Sequence, residues 1–225
     1  VVCQSVLLPR GNPLELLRLG YELQLPANMG NVTYYGRGPE ENYADRKSGM
    51  PLGVYKTTAR DSFFPYGRPQ DCGNHEDTRW VAVTDDKGQG LLFGSVGAPF
   101  AFSAIPYTTT DLILANHPVE LPKTTDKTVL VLSSATRGLG GASCGPGPMS
   151  RDIIKANKPY PLSFFMRPVT SKSYKGEIRV PAAQLDMTML TRTDKYTVKS
   201  VTSQEQGEAD AEFAIDGDPG TFWHS

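Results

Sequence analysis

The sequence predicts an all-β chain arranged as a β-sandwich, and three observations carry that reading. In "LRLGYELQL", residues 17 to 25, Leu17, Leu19, Tyr21, Leu23 and Leu25 fall on one face and Arg18, Glu22 and Gln24 on the other, the alternation of a half-buried strand. Helical periodicity is almost absent, while 22 glycines and 18 prolines interrupt the 225 residues. "RWVAVTDDKGQGLLFGS" reads as two strands around a turn at Asp85-Asp86-Lys87-Gly88, where Asp and Gly supply the backbone conformations a hairpin needs.

The remaining elements follow in order. Tyr34 and Tyr35 are expected to end a strand, with Gly36-Arg37-Gly38-Pro39 forcing a tight, irregular turn. "TTDLILAN" predicts one short helix with a threonine cap ahead of Asp111. "TVLVLSS" and "YPLSFFMRP" read as two further strands, and in the second Tyr160, Leu162, Phe164 and Met166 share a face. Several strands joined by long polar loops point to two packed sheets. After Pro168 the pattern weakens. Residues 169–197 read as a polar linker, and residues 198–225 as the partial opening of a second β-sandwich module, because Phe222 and Trp223 call for burial that so short a stretch cannot supply.

Composition limits the function classes. Hydrophobic residues make up 39 % of the chain, charged residues 21 %, and the formal net charge is -1. That is globular composition with a core of useful size, and a charge balance that argues against a bulk nucleic-acid or anionic-membrane partner. No run of 18 apolar residues is present to span a bilayer, and "VVCQSVLLPRGNP" is broken by proline too early to serve as a signal peptide. Cys3, Cys72 and Cys144 are odd in number and widely spaced, so they form neither a disulfide framework nor a zinc site and read as free thiols.

Chemistry-bearing residues gather in three loops. "YYGRGPEENYADRKSG", residues 34 to 49, holds Glu40, Glu41, Asp45, Arg37, Arg46 and Lys47. A glycosidase needs two carboxyls roughly 5–9.5 Å apart across the sugar, and adjacent Glu40 and Glu41 point apart in an extended loop. The structural alternative is that Arg37 and Arg46 pair with these acids, so that Arg37, Glu40, Glu41, Asn42, Asp45 and Arg46 form a docking corner. In "YGRPQDCGNHEDTRW", residues 66 to 80, His75 beside Glu76 and Asp77 is a candidate metal ligand or general base, but His117 and His224 are too remote to complete a ligand set, and a hydrogen-bonded turn between strands is the expected reading. "RGLGGASCGPGPMS", residues 137 to 150, has five glycines and two prolines. It lacks the lysine of a phosphate loop, and Cys144 lacks a neighbouring histidine to activate it, so a shaped loop that leans on a neighbouring surface is expected.

Taken together and in order, "VTYYGRGPEENYADRKSG", "PYGRPQDCGNHEDTRW", "FSAIPYTTTDLILANHPVEL" and "GLGGASCGPGP" resemble the C-terminal β-sandwich, or small-chain, domain of bacterial β-galactosidases of glycoside hydrolase family 2, over about residues 14 to 168. The resemblance implies a large antiparallel β-supersandwich, similar in shape to galactose mutarotase, over residues 1–168, with N-terminal strands of the usual domain missing. It implies packing on a catalytic (β/α)8 barrel that carries the catalytic carboxylates, no catalytic residue and no cofactor in this chain, metal ions in the parent enzyme, and room for a homo-oligomer. It also implies a pocket-lining loop: Ser143, Cys144 and Gly145, with Asn74 and His75 nearby, would border a galactoside. Cys144 falls about where the family's loop often carries a sugar-stacking tryptophan, a role a thiol cannot fill. "SVTSQEQGEADAEFAIDGDPGTFWHS" resembles the opening of a discoidin-like, carbohydrate-binding family 32 module. In that family the matching positions, Asp216, Asp218 and Thr221, help hold calcium, but three side chains fall short of the six to eight oxygens calcium takes. Modules of this type accompany exported enzymes, which implies a periplasmic or extracellular setting. Two other readings remain: a lectin-like module acting alone, and a mutarotase-like enzyme with His75 as base.

Overall fold

A computed structural model describes residues 1–11, 16–141 and 144–170, all within a unit that spans Val1–Val180. Strands β1 (Val2–Leu7), β3 (Asn31–Arg37), β4 (Leu52–Thr58), β6 (Trp80–Thr84), β7 (Gly90–Ser95) and β10 (Tyr160–Val169) form one sheet, in the order β1-β10-β7-β6-β3-β4. Strands β2 (Arg18–Pro26), β5 (His75–Thr78), β8 (Phe100–Ile105) and β9 (Lys127–Thr136) form a second, in the order β2-β9-β8-β5. Every pairing is antiparallel. The predicted all-β sandwich is therefore the fold observed.

Alternation places the core between the sheets. Val32 and Tyr34 from β3, Val81 and Val83 from β6, Phe93 from β7, and Leu162 and Phe164 from β10 meet Leu25, Phe100, Phe102, Ala104, Leu130 and Leu132 of the other sheet. Each strand contributes every second residue, as a pleat requires. The outer face of the four-stranded sheet is covered as well. Helix α1 (Thr109–Leu114) and neighbouring loops lay Leu112, Ala115, Leu121 and Cys72 over Ile105, with Phe63, Tyr66 and Tyr107 at the edge. On the outer face of the six-stranded sheet, Trp80, Ala82, Leu92 and Val169 form a further buried group.

The helix follows from its cap. Thr108 accepts from the Asp111 backbone N–H, and the Asp111 side chain accepts from the Thr108 N–H, a reciprocal capping box on the short segment anticipated from "TTDLILAN". The hairpin between β6 and β7 also forms where expected: Asp85 Oδ1 accepts from the Lys87 and Gln89 N–H groups, and Gly88 takes φ +74°.

Several expectations are corrected. Tyr34 and Tyr35 do not end their strand: Gly36 and Arg37 stay in the ladder opposite Gly53 and Leu52, and the irregular turn begins at the cis Gly38–Pro39 bond. β5 occupies part of the stretch read as a loop, because its four polar residues pair with β8 around a bulge in which Asp77 has φ +52°. Apart from these corrections, β1 lies at the sheet edge and pairs Val2 to Leu7 with Phe165 to Tyr160. The three cysteines are free, as their spacing indicated, with Cys72 buried and its thiol pushed up to about 11 by burial.

Phe102 packs on Tyr34 and His75 at ring-centroid distances of 5.0 and 5.2 Å. Phe102→Ala is expected to lower unfolding free energy by about 3–5 kcal/mol, whereas Val54→Ala on the exposed face of β4 should stay within about 0.5 kcal/mol; urea titrations of both variants check this contrast.

Candidate functional site

The first loop, residues 38–51, is held by buried polar groups rather than by apolar packing. Asn42 is fully buried and uses each of its polar groups. Its backbone N–H donates to the Asn74 carbonyl at 2.7 Å, and its own carbonyl accepts from Asn74 Nδ2 at 2.7 Å. Its Nδ2 donates to the Arg37 and Glu40 carbonyls at 3.1 and 2.9 Å, and its Oδ1 accepts from the Glu76 N–H at 2.8 Å. One asparagine thus ties the loop to β3 and β5 together.

The acids of this loop have separate tasks. Glu41 turns inward and accepts from the Gly73 N–H at 2.8 Å, from Tyr43 Oη at 3.2 Å and from Tyr66 Oη. Burial, followed by the hydrogen bond to Glu41, pushes the Tyr66 hydroxyl up to about 12. Glu40 is exposed. Arg46 lies 3.4 Å from Glu41, as the charge pattern suggested. Arg37 does not pair with the loop acids. Its Nε meets Asp77 of β5, because β3 carries it two residues further along the sheet than the sequence indicated.

His75 is placed by stacking. Its ring lies 4.4 Å from that of Tyr34 and 5.2 Å from that of Phe102, and the residue is 4 % exposed. Nδ1 is 3.0 Å from the Arg37 carbonyl, which can only accept, so this nitrogen carries the proton. The Tyr34 hydroxyl lies 3.1 Å from the same nitrogen. Burial lowers the imidazole to about 4, against smaller upward contributions from the Arg37 carbonyl and the Glu41 charge. A histidine held this way is a core ring whose Nδ1–H is used inside the fold. Asn74 is likewise buried and donates to Glu76 Oε1 at 3.0 Å.

Two carboxylates absent from the predicted set complete the framework. Glu76 accepts from Asn74 and Thr136 and lies 3.6 Å from Lys47 Nζ. Asp77 takes Arg37 on one oxygen and Lys47 on the other at 3.0 Å. Burial alone would raise the Asp77 carboxyl, but the hydrogen bonds from Arg37 and Lys47 outweigh it and hold it below the usual range. The short polar run "HEDT" gave no sign of a strand that would aim these side chains at residues 30 to 60 positions away.

The glycine-rich loop joins the same rim. Asp45 accepts from the Leu139 and Gly140 N–H groups at 3.0 and 2.7 Å. The Gly138 N–H donates to the Asp152 carbonyl at 2.7 Å, and the Gly141 N–H to the Pro146 carbonyl at 2.7 Å. A Cβ on Gly138 would lie 2.7 Å from Asp45 Cγ, so only glycine lets the two loops approach this closely. Cys144 is exposed, and Gly145 packs back on Gly141. Ser143, Asp216, Asp218 and Thr221 lie outside the described residues, as do residues 171–225 of the predicted linker and tail module; Val169, placed at the start of that linker, ends β10. Among the described residues no cluster of histidine, cysteine, aspartate and glutamate is arranged to hold a metal ion, and no helix is long and apolar enough to cross a membrane.

Three loops from distant parts of the chain therefore converge at one rim of the sandwich, in the order the sequence motifs suggested. Residues 2–166 match the family model of the β-galactosidase small chain. The chain belongs to the β-galactosidase small chain family. Its relatives include the β-galactosidase BgaC of Bifidobacterium adolescentis, 43 % identical over 147 residues that cover 64 % of this chain and 14 % of that protein. A β-galactosidase of Priestia megaterium is 34 % identical over 168 residues, covering 74 % of this chain and 16 % of that protein. The β-galactosidase small subunit of Latilactobacillus sakei is 40 % identical over 132 residues, covering 54 % of this chain and 41 % of that protein. The chain thus spans a minor part of the length of each.

Within this small-chain domain, Asn42→Ala would take away the partners that the Glu40 carbonyl and the Glu76 N–H find in the Asn42 side chain and leave the Arg37 carbonyl to His75. We expect a loss of about 3 kcal/mol in denaturant unfolding, larger than for Glu40→Ala at the exposed neighbour, which should change stability by no more than about 0.5 kcal/mol.

His75 gives a pH signature whose sign is fixed by its lowered value. The unfolded state binds a proton near pH 6.5 and the folded state only near 4, so this contribution is complete above pH 6.5 and is lost as pH falls toward 4. The full span corresponds to roughly 3 kcal/mol. Unfolding free energies measured from pH 7 to 5, above most carboxylate titration, should fall for the natural chain and stay nearly flat for His75→Gln.

Proposed function

We propose that this chain is a non-catalytic portion of a family 2 β-galactosidase: it packs on the catalytic barrel and its glycine-rich loop borders the galactoside pocket. The observation that carries the reading is the use already made of the rim carboxylates. Glu41, Glu76, Asp77 and Asp45 each spend their oxygens on partners within the chain. A glycosidase acid needs a proton it can release to the leaving oxygen, and its partner must face it across a sugar. Asp45 and Asp77 are instead held below the usual carboxylate range by donors aimed at their ionised forms, against the upward effect of burial.

What the rim offers instead is shape. Glycines bring backbone close to backbone, and the hydrogen bonds described above fix the base of the loop from which Cys144 projects. Such a loop can contribute backbone groups and a small thiol to the wall of a sugar site, leaving proton transfer to carboxylates on another part of the enzyme. Membership of the small-chain family supports this division of labour. The burial of His75 disfavours the mutarotase-like alternative, in which that ring would act as a base.

The isolated chain should not hydrolyse nitrophenyl β-galactoside, and turnover should appear when it is mixed with a family 2 catalytic chain lacking this portion. Cys144→Trp in the reconstituted enzyme should change KM by threefold or more, since an indole adds a stacking face at the tip. Turnover by the isolated chain that is lost on Glu41→Gln would contradict the proposal, as would reconstitution that never occurs.

A further inference from the structure

Among the described residues, the carboxylate of Asp45 joins the first loop directly to the glycine-rich loop. Tyr43 and Arg46 close a turn, with the Arg46 N–H donating to the Tyr43 carbonyl at 2.8 Å. Tyr43 is buried and its hydroxyl is tied to Glu41, so the base of the turn is fixed. Asp45 sits at the tip. From there it crosses to a segment more than ninety residues away and gives one oxygen to each of two successive backbone N–H groups, Leu139 by Oδ1 and Gly140 by Oδ2.

The pattern is specific to a carboxylate. Two neighbouring amides pointing the same way need two acceptors at a fixed separation, which an ionised carboxyl provides and a primary amide does not. An asparagine would present one acceptor and one donor, so one of the two amides would face an N–H. The recipient is also shaped for this bond. Gly140 takes φ +62°, a conformation that favours glycine, and Gly138 leaves the space that Asp45 Cγ occupies. Beyond this clamp the Gly141 N–H donates to the Pro146 carbonyl at 2.7 Å, which ties together the two ends of the stretch that holds Cys144.

We infer that Asp45 is a positioning residue for the galactoside site: by clamping Leu139 and Gly140 it sets where the tip that carries Cys144 stands against the sugar. This rests on the proposal that the loop borders the pocket. The residue touches neither substrate nor reacting atoms and acts only through the loop, so its loss should alter how well galactoside is held more than how fast the bond is broken.

The test uses the full chain reconstituted with its catalytic partner, and the variants Asp45→Asn and Asp45→Glu. Hydrogen exchange on the chain alone reads the clamp. In Asp45→Asn the Leu139 and Gly140 amides should exchange at least tenfold faster while the amides of β6 and β7 keep their protection, which shows that the fold persists. In the reconstituted enzyme, Asp45→Asn should raise KM for nitrophenyl β-galactoside about three- to tenfold with kcat changed less than twofold, and Asp45→Glu, which keeps both acceptors on a longer stem, should fall between. Unchanged exchange at Leu139 and Gly140 would overturn the clamp. Loosened amides with an unchanged KM, while Cys144→Trp shifts KM, would overturn the positioning role and leave the pocket proposal standing. Insensitivity of KM to both Asp45→Asn and Cys144→Trp would remove the pocket proposal and this inference with it.

Discussion

Asn42 is a small residue with an unusual burden: at 0 % exposure it satisfies five hydrogen-bonding positions, and its partners belong to two sheets. Arg37 ends β3 of the six-stranded sheet, while Asn74 and Glu76 border and occupy β5 of the four-stranded one. Where two sheets meet at an open end, apolar packing thins out and the backbone has no ladder to join. A buried amide that answers both sheets fixes their separation there. The orientation of Glu41, the approach of Gly73 and the turn that presents Asp45 all depend on a loop whose path Asn42 determines.

The polar rim and the aromatic core are coupled through His75. Its ring packs on both Tyr34 and Phe102, which also touch each other, and donates to the Arg37 carbonyl, the same carbonyl that accepts from Asn42. Burial keeps the imidazole neutral, and neutrality is what the stack requires, since a charged ring in that position would lack a counter-ion in contact. Asp45 and Asp77 are arranged in the opposite sense: against the upward effect of burial, donors aimed at their carboxylates hold them below the usual range.

Much of the fold was legible because half-buried strands declare themselves by alternation. β2 and β10 do so, the turn at Asp85 to Gly88 marked the β6–β7 pair, and the capping threonine gave α1. The strands that escaped notice did so for physical reasons. β8, "FAFSAI", is buried on both faces and has no polar side to alternate. β5 is four polar residues around a bulge, and β4 exposes Leu52 and Val54, which inverts the usual pattern. At the site, residue types signalled a charged corner, but pairing across thirty to ninety residues cannot be read from spacing. Arg37 found Asp77 rather than its neighbours, and Asp45 found backbone amides rather than an arginine. The family resemblance named the correct loops without revealing which atoms join them.

The account places the bond-breaking carboxylates outside this chain and assigns it the shape of the pocket wall. A 2-fluoro β-galactoside, which leaves a stable glycosyl group on the nucleophile of a retaining enzyme, tests that division most directly. Peptide mass mapping of the reconstituted enzyme after inactivation should find the adduct only on the catalytic partner. A glycosyl adduct on any aspartate or glutamate of this chain would contradict the account.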